Sequence, residues 1–95
     1  MKPLWKIRSG KFAGWRVNDA LYDDSGKNVG YFIDDIAYST RGSYIGEIYG
    51  EDWIGKRTGI ARGNHGSRGR YGNIGVGRYA NRGGIALGGW KDPDY

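Results

Sequence analysis

The chain has 95 residues, a formal charge of +5 and no cysteine. This length predicts one small domain without a large catalytic cavity, and the absence of cysteine excludes disulfides and thiolate metal sites. No apolar run is long enough to span a membrane, and none follows the basic first residues as a signal peptide would require. We therefore expect a cytoplasmic protein with no membrane partner and no cofactor.

Aromatic residues and basic residues are the two prominent features of the composition. The fourteen aromatic residues, four of them Trp, predict a core rich in rings, because each ring buries a large area. Residues 1–52 carry seven Lys or Arg against eight Asp or Glu, whereas residues 53–95 carry eight against two. The basic character therefore belongs to the C-terminal half.

Pairs of glycines four residues apart divide the first two thirds of the chain into units, in steps of 16, 16 and 17 residues. In each unit a short apolar run leads to a turn with the first glycine, and a return strand holds the second. The pattern predicts four consecutive β-hairpins over residues 1–63. The pairs are Gly10 and Gly14, Gly26 and Gly30, Gly42 and Gly46, and Gly59 and Gly63.

Two departures from a regular hairpin can be predicted inside the first two units. Trp5 lies five residues before its turn glycine, whereas Tyr22 lies four before its own, which predicts a one-residue bulge in the first unit. In the second unit, a period of two places Val29, Tyr31 and Ile33 on one face of the return strand, with Phe32 on the other.

Short acidic or amide residues join the units, in Asn18-Asp19 and Asp34-Asp35. Their side chains bond nearby backbone and tolerate left-handed conformations, so both pairs predict tight turns. The fourth unit begins at Trp53 but is degenerate, because Arg62 stands where the others have Ala, Val or Ile. We therefore expect its return strand to have a different neighbour.

The chain is predicted to be all-β, because glycine recurs every few residues and no window has the apolar spacing of a helix. Repeats that cannot bury their apolar faces alone must pack on one another, which predicts a closed or radial pseudo-fourfold arrangement. The recurring strand glycines predict close approach at a common axis. The alternative is that each glycine only marks a bulge.

The hairpin motif, in Gly26-Lys27-Asn28-Val29-Gly30-Tyr31 and again in Gly42-Ser43-Tyr44-Ile45-Gly46-Glu47, resembles that of the bacterial four-fold beta flower proteins. The resemblance covers about residues 4–63 and implies four hairpins around a pseudo-fourfold axis. It implies no activity, and no functional residue is carried over from it.

Residues 64–95 form a Gly/Arg-rich segment, which we call the tail, and we expect it to pack partly on the repeat domain. Arginine binds phosphate, aromatic rings stack on unpaired bases and glycine permits close approach, so the tail predicts a surface for RNA or single-stranded DNA. The candidate binding residues are Arg62, Arg68, Arg70, Tyr71, Arg78, Tyr79 and Arg82.

Other functions are less well indicated. An acidic protein partner would use the same arginines. Alternatively, the basic surface only keeps the protein soluble, or it docks on acidic residues of the repeats. A homo-oligomer is also possible. Residues 72–77 lack the Lys-Ser/Thr of a phosphate loop, and the lone His65 has no partner for metal binding or acid-base catalysis. The sequence therefore predicts a non-catalytic binding module, with a protein-interaction or assembly domain as the alternative.

Overall fold

The structure, a computed structural model, describes residues 1–75 and 77–95 and consists of β-strands with no helix in those ranges. Accordingly, the described residues contain no helix that could cross a membrane. The strands are β1 (Lys2–Lys6), β2 (Phe12–Val17), β3 (Ala20–Tyr22), β4 (Asn28–Ile33), β5 (Ile36–Ser39), β6 (Tyr44–Tyr49), β7 (Trp53–Arg57) and β8 (Trp90–Lys91).

The first seven strands close into a barrel, and β8 lies beside β7 as an additional strand. Each strand is antiparallel to the next, while β7 pairs in parallel with β1 through Trp5 opposite Trp53. In an up-and-down meander the first and seventh strands point the same way, so closing seven strands requires a parallel seam. The prediction of an all-β, closed fold is confirmed.

The interior of the barrel is one apolar cluster to which every barrel strand contributes. Strands on opposite sides can share such a cluster only because the sheet is closed. Half of the buried apolar residues described are aromatic, which confirms the predicted ring-rich core, but Phe32 is the one buried aromatic residue of this inner cluster. The cluster consists of Leu4, Ala13, Leu21, Phe32, Ala37, Ile45 and Ile54, with Val29, Ile48 and Tyr95 packed against it.

The aromatic residues instead form two clusters on the outer face of the sheet. Leu4 points inward and the next residue, Trp5, points outward, and Leu21 and Tyr22 repeat this alternation. Both outer clusters are buried, so something must cover them. They contain Trp5, Phe12, Trp15, Ala20 and Tyr22 on one side, and Tyr31, Tyr38 and Tyr44 on the other.

A bulge occurs at the same place in each of the three hairpins, and not only in the first. Leu21 pairs with Gly30 and Tyr22 with Asn28, so Val29 is the extra residue. Because a bulge resets the alternation, Val29 and Phe32 pack on the inner cluster and Tyr31 on an outer one. The predicted face shared by Val29 and Tyr31 is therefore wrong.

The strand glycines follow these bulges and lie against the backbone of the neighbouring strand. A Cβ on Gly14 would lie 2.0 Å from the carbonyl oxygen of Tyr22, and one on Gly30 would lie 2.1 Å from that of Tyr38. Gly63 lies outside the strands with open space around it. The predicted close approach is therefore confirmed for Gly14 and Gly30. The need for glycine at these two positions is explained better by the bulges than by a common axis.

The predicted fourth hairpin does not form, so three hairpins and a single strand make the barrel. No strand occurs in residues 58–75 or 77–89, and β7 pairs with β1 and with β8 from the tail. A return strand would have turned Arg62 into the apolar interior, where an unpaired charge is very costly. Tyr95 packs on the inner cluster instead.

The tail runs around the rim of the barrel and meets the hairpin turns in reverse order. Backbone N–H groups of His65, Ile74 and Arg82 donate hydrogen bonds of 2.8, 2.8 and 2.7 Å to the carbonyl oxygens of Gly42, Gly26 and Gly10, respectively. These contacts bring the tail over the outer aromatic clusters. The whole molecule is flat, with dimensions of 34 × 33 × 17 Å.

Candidate anion-binding surface

The predicted binding residues do not lie together, because the chain from Arg62 through the tail runs around the rim of the barrel. Four of the five predicted arginines form an ion pair with a carboxylate of the barrel. The pairs are Arg62 with Glu47 (3.2 Å), Arg68 with Asp19 (3.3 Å), Arg78 with Asp24 (3.1 Å) and Arg82 with Asp52 (3.3 Å).

Arg62 belongs to a partly buried network beside β6. Its guanidinium bonds both oxygens of Glu47, at 3.2 and 3.3 Å, and the Tyr44 hydroxyl donates to the same carboxylate at 2.6 Å. Burial disfavours the charge on Arg62, but the bonds to Tyr44 and Glu47 outweigh that effect and raise its pKa. Burial and the bond to Glu47 likewise raise the pKa of Tyr44. These contacts fix Arg62 against β6, just before the tail begins, so its role is structural.

Arg82 and Tyr79 cover the first outer cluster. The Arg82 guanidinium lies 3.5 Å from the centre of the Trp5 ring, and the Trp5 indole N–H donates to the carbonyl oxygen of Ala80 at 2.8 Å. The Tyr79 ring stacks on Phe12 at 5.7 Å and meets Trp15 edge-on at 5.2 Å. One face of Tyr79 is therefore committed to the barrel, although half of the residue is exposed.

Arg68, Arg70 and Tyr71 remain together on the other side of the rim. The guanidinium carbon of Arg68 lies 4.0 Å from the centre of the Tyr31 ring, and its side chain is 46% exposed. Arg70 is exposed and has no carboxylate within 4 Å in the described part of the chain. Tyr71 is 56% exposed, and its backbone N–H donates to the Asn28 side chain at 3.1 Å.

Arg41, which the sequence analysis did not select, belongs to the same side. It is exposed in the third hairpin turn, where Ser67 Oγ donates to its carbonyl oxygen at 3.3 Å and the Arg68 N–H donates to Thr40. Only a lone basic turn residue marks it in the sequence, and the path of the tail brings it beside the others. We call Arg41, Arg68, Arg70 and Tyr71 the arginine patch.

The remaining polar candidates have structural partners. His65 meets the Tyr38 ring edge-on at 4.4 Å, and the described residues include no group of three His, Asp or Glu that could hold a metal ion. Asn18 and Asp34 adopt φ of 55° and 54°, which confirms the left-handed turns predicted between the units. Asp35 forms an ion pair with Arg16 at 3.0 Å.

Comparisons of this chain with protein-family models, with curated proteins and with solved structures found no match.

Proposed function

We propose that this protein is a non-catalytic β-barrel module that binds an anionic partner, namely RNA or single-stranded DNA, through the arginine patch. The observation that carries this proposal is the position of the Arg68 guanidinium, 4.0 Å from the centre of the Tyr31 ring, beside Arg70, which has no carboxylate partner in the described residues, and the exposed Tyr71. A guanidinium that contacts a ring on one side leaves its other side for a base, while its N–H groups reach phosphate.

The ion pair between Arg68 and Asp19 does not prevent this role. Both side chains are about half exposed, at 46% and 58%, and exposed pairs of this kind contribute little to stability. A phosphate can therefore take the place of Asp19 at low cost. The contact with the Tyr31 ring keeps the guanidinium in position during the exchange.

The test is the affinity of the full chain for a fluorescent single-stranded RNA and for the matching DNA, measured by anisotropy over a range of salt concentrations. Replacing Arg68 and Arg70 with Ala removes two phosphate contacts, so we expect binding to weaken by about tenfold or more. The slope of log affinity against log salt should become shallower by about 1.4. The matched control replaces the exposed Lys2 and Lys27 with Ala and should change affinity less than twofold.

Two results would contradict the proposal. One is the absence of binding to either nucleic acid even at low salt. The other is an equal loss of affinity in the control, which would indicate a diffuse effect of net charge and no patch.

A protein-interaction or assembly role is the second candidate, supported by the pairing of Arg62, Arg78 and Arg82 with the barrel's own acids. Arginines that are used inside the molecule leave less charge for nucleic acid and favour a partner that contacts the exposed rings of the rim. Light scattering would then give a mass above one chain, or a protein that contacts these rings would co-purify, and the Arg68 and Arg70 variant would leave either result unchanged.

The proposal includes relatedness to the four-fold beta flower type, with the fourth hairpin replaced by the tail. Its support is the spacing of 17, 16 and 17 residues between the inward-facing residues of successive units. These residues are Leu4, Leu21, Ala37 and Ile54.

A further inference from the structure

A polar cleft of about 420 Å³ lies where the first two hairpin turns meet the tail. Lys6 and Lys11 flank the first turn, Asp23 and Asp24 lie in the second, and the tail contributes Arg78 and Asn81. The volume falls in the range of small-molecule sites. The cleft shares no residue with the arginine patch, so its role is independent of nucleic-acid binding.

The two carboxylates of the cleft are already engaged. Asp24 pairs with Arg78 at 3.1 Å. Asp23 accepts hydrogen bonds from the backbone N–H groups of Ser25 (2.9 Å) and Lys27 (3.0 Å) in its own turn. Partial burial opposes ionisation of Asp23, but these bonds outweigh burial and hold the pKa of its carboxyl below its usual value.

The two lysines have no such side-chain partner. In the described part of the chain, neither Lys6 nor Lys11 has an Asp or Glu carboxylate within 4 Å. Lys6 Nζ donates one bond of 2.9 Å to the main-chain oxygen of Tyr95, the last residue of the chain, which leaves two of its three N–H groups. The cleft therefore contains two ammonium groups with unused donors.

Asn81 supplies a further donor on the tail side. Its side-chain oxygen accepts a hydrogen bond of 2.9 Å from the Phe12 backbone N–H, so its NH₂ group stays available. Two ammonium groups and an amide NH₂ around one cleft suit the oxygens of a phosphate group. Asp23 and Asp24 oppose a long polyanion, which restricts the cleft to a small ligand.

We propose that this cleft binds a small phosphorylated molecule. Because Arg78, Asn81 and Tyr95 of the tail form part of the walls, the site is complete only while the tail is docked. The ligand consequently favours the docked chain by mass action and raises the stability of the whole molecule.

The test follows the backbone amide signals of the full chain by NMR during titration with inorganic phosphate and with ribose 5-phosphate. Ribose and chloride at matched ionic strength are the reference titrations. We expect saturable shifts at Lys11, Asp24 and Asn81 with both phosphates and none with the references. Equal affinity for the two phosphates identifies inorganic phosphate as sufficient, whereas tighter binding of the sugar phosphate shows that the rest of the cleft is used.

Lys11→Gln tests the assignment, because the Lys11 side chain is exposed and has no ion pair to lose. We expect about tenfold weaker phosphate binding, the equivalent of one charge-assisted hydrogen bond, with an unchanged melting temperature in the absence of ligand. Lys2→Gln removes the same charge elsewhere and should bind as the parent does. Unsaturable shifts, shifts scattered over the surface, or equal weakening in both variants would overturn the proposal.

Discussion

Each turn glycine meets two separate requirements. Gly10, Gly26 and Gly42 adopt φ of 72°, 86° and 93°, which side chains rarely tolerate. A Cβ at any of the three would also lie 1.8–2.0 Å from a carbonyl oxygen of the tail. The sequence shows the first requirement, whereas the second depends on the tail.

Gly26→Ala should destabilise the protein by about 1–3 kcal/mol, because it strains the turn and displaces Ile74 from the rim. Urea unfolding measures the change. Gly72→Ala is the matched control, since Gly72 has ordinary φ and open space around it, and it should change stability by less than about 0.5 kcal/mol. Equal effects of the two substitutions would contradict docking of the tail at Gly26.

Asp92, near the end of the tail, binds the first hairpin turn. Its Oδ1 accepts hydrogen bonds from the backbone N–H groups of Arg8 (2.8 Å) and Ser9 (3.2 Å). Partial burial opposes the charge, but these bonds outweigh it and lower the pKa of the carboxyl. A lowered pKa in the folded state means that the folded protein binds the proton less readily than the unfolded chain does.

Stability should therefore be fully present above the unfolded pKa of Asp, about 3.9, and fall as the pH drops through the lower folded value. Asp92→Asn keeps the acceptor oxygen but removes the charge, so its free energy of unfolding should fall less between pH 5 and pH 2. Denaturant unfolding at a series of pH values measures this. Identical pH profiles for the parent and Asp92→Asn would refute a contribution from this carboxylate.

At the scale of elements, the end of the tail packs on the barrel at two places. Trp90 pairs with Arg57 in the extra strand, and Tyr95 packs on the inner cluster with its hydroxyl buried and without a partner in the described residues. Burial and the nearby Asp23 and Asp24 raise the pKa of that hydroxyl. The ring therefore stabilises the barrel, whereas the hydroxyl opposes its stability.

Tyr95→Phe should raise the free energy of unfolding by about 1 kcal/mol, because it removes an unsatisfied buried hydroxyl and keeps the ring. Tyr95→Ala should lower it by about 3 kcal/mol through the cavity left beside the inner cluster. The comparison of the two variants separates the effect of the hydroxyl from that of packing. A clear loss of stability in Tyr95→Phe would show that the hydroxyl has a partner.

The hairpins could be predicted from sequence because their signals are local. Glycine at a fixed spacing specifies the turns, and Asn18 and Asp34 specify the links between them. A bulge was predicted in the first unit, but those of the second and third were not, because both faces of the strands are apolar and a shift at Val29 leaves no polar residue misplaced. The seam of β1 with β7 depends on residues nearly 50 positions apart, Trp5 and Trp53, and no local pattern encodes that pairing.

The candidate site was predictable in composition but not in arrangement. The arginines and tyrosines of the tail indicate an anionic partner by their chemistry. Their division into structural and exposed members follows from the route of the tail around the rim, and that route depends on hydrogen bonds and ion pairs to turns far away in the sequence.

At the scale of the whole molecule, the difference in charge between the two halves of the chain is largely satisfied internally. The acidic half provides Asp19, Asp24, Glu47 and Asp52, and the basic half provides an arginine for each. The tail consequently completes the barrel by covering its outer rings. The arginine patch and the phosphate cleft both depend on that docking.

Amide hydrogen exchange of residues 64–95, followed by NMR, tests the docking of the tail most directly. The N–H groups of His65, Ile74, Arg82 and Ile85 donate to barrel carbonyl oxygens, so they should exchange at least about tenfold more slowly than in an unstructured peptide. Gly72 and Gly83, whose N–H groups have no acceptor in the described part of the chain, should exchange near the free rate. Exchange of all six amides at the free rate would contradict the docked tail.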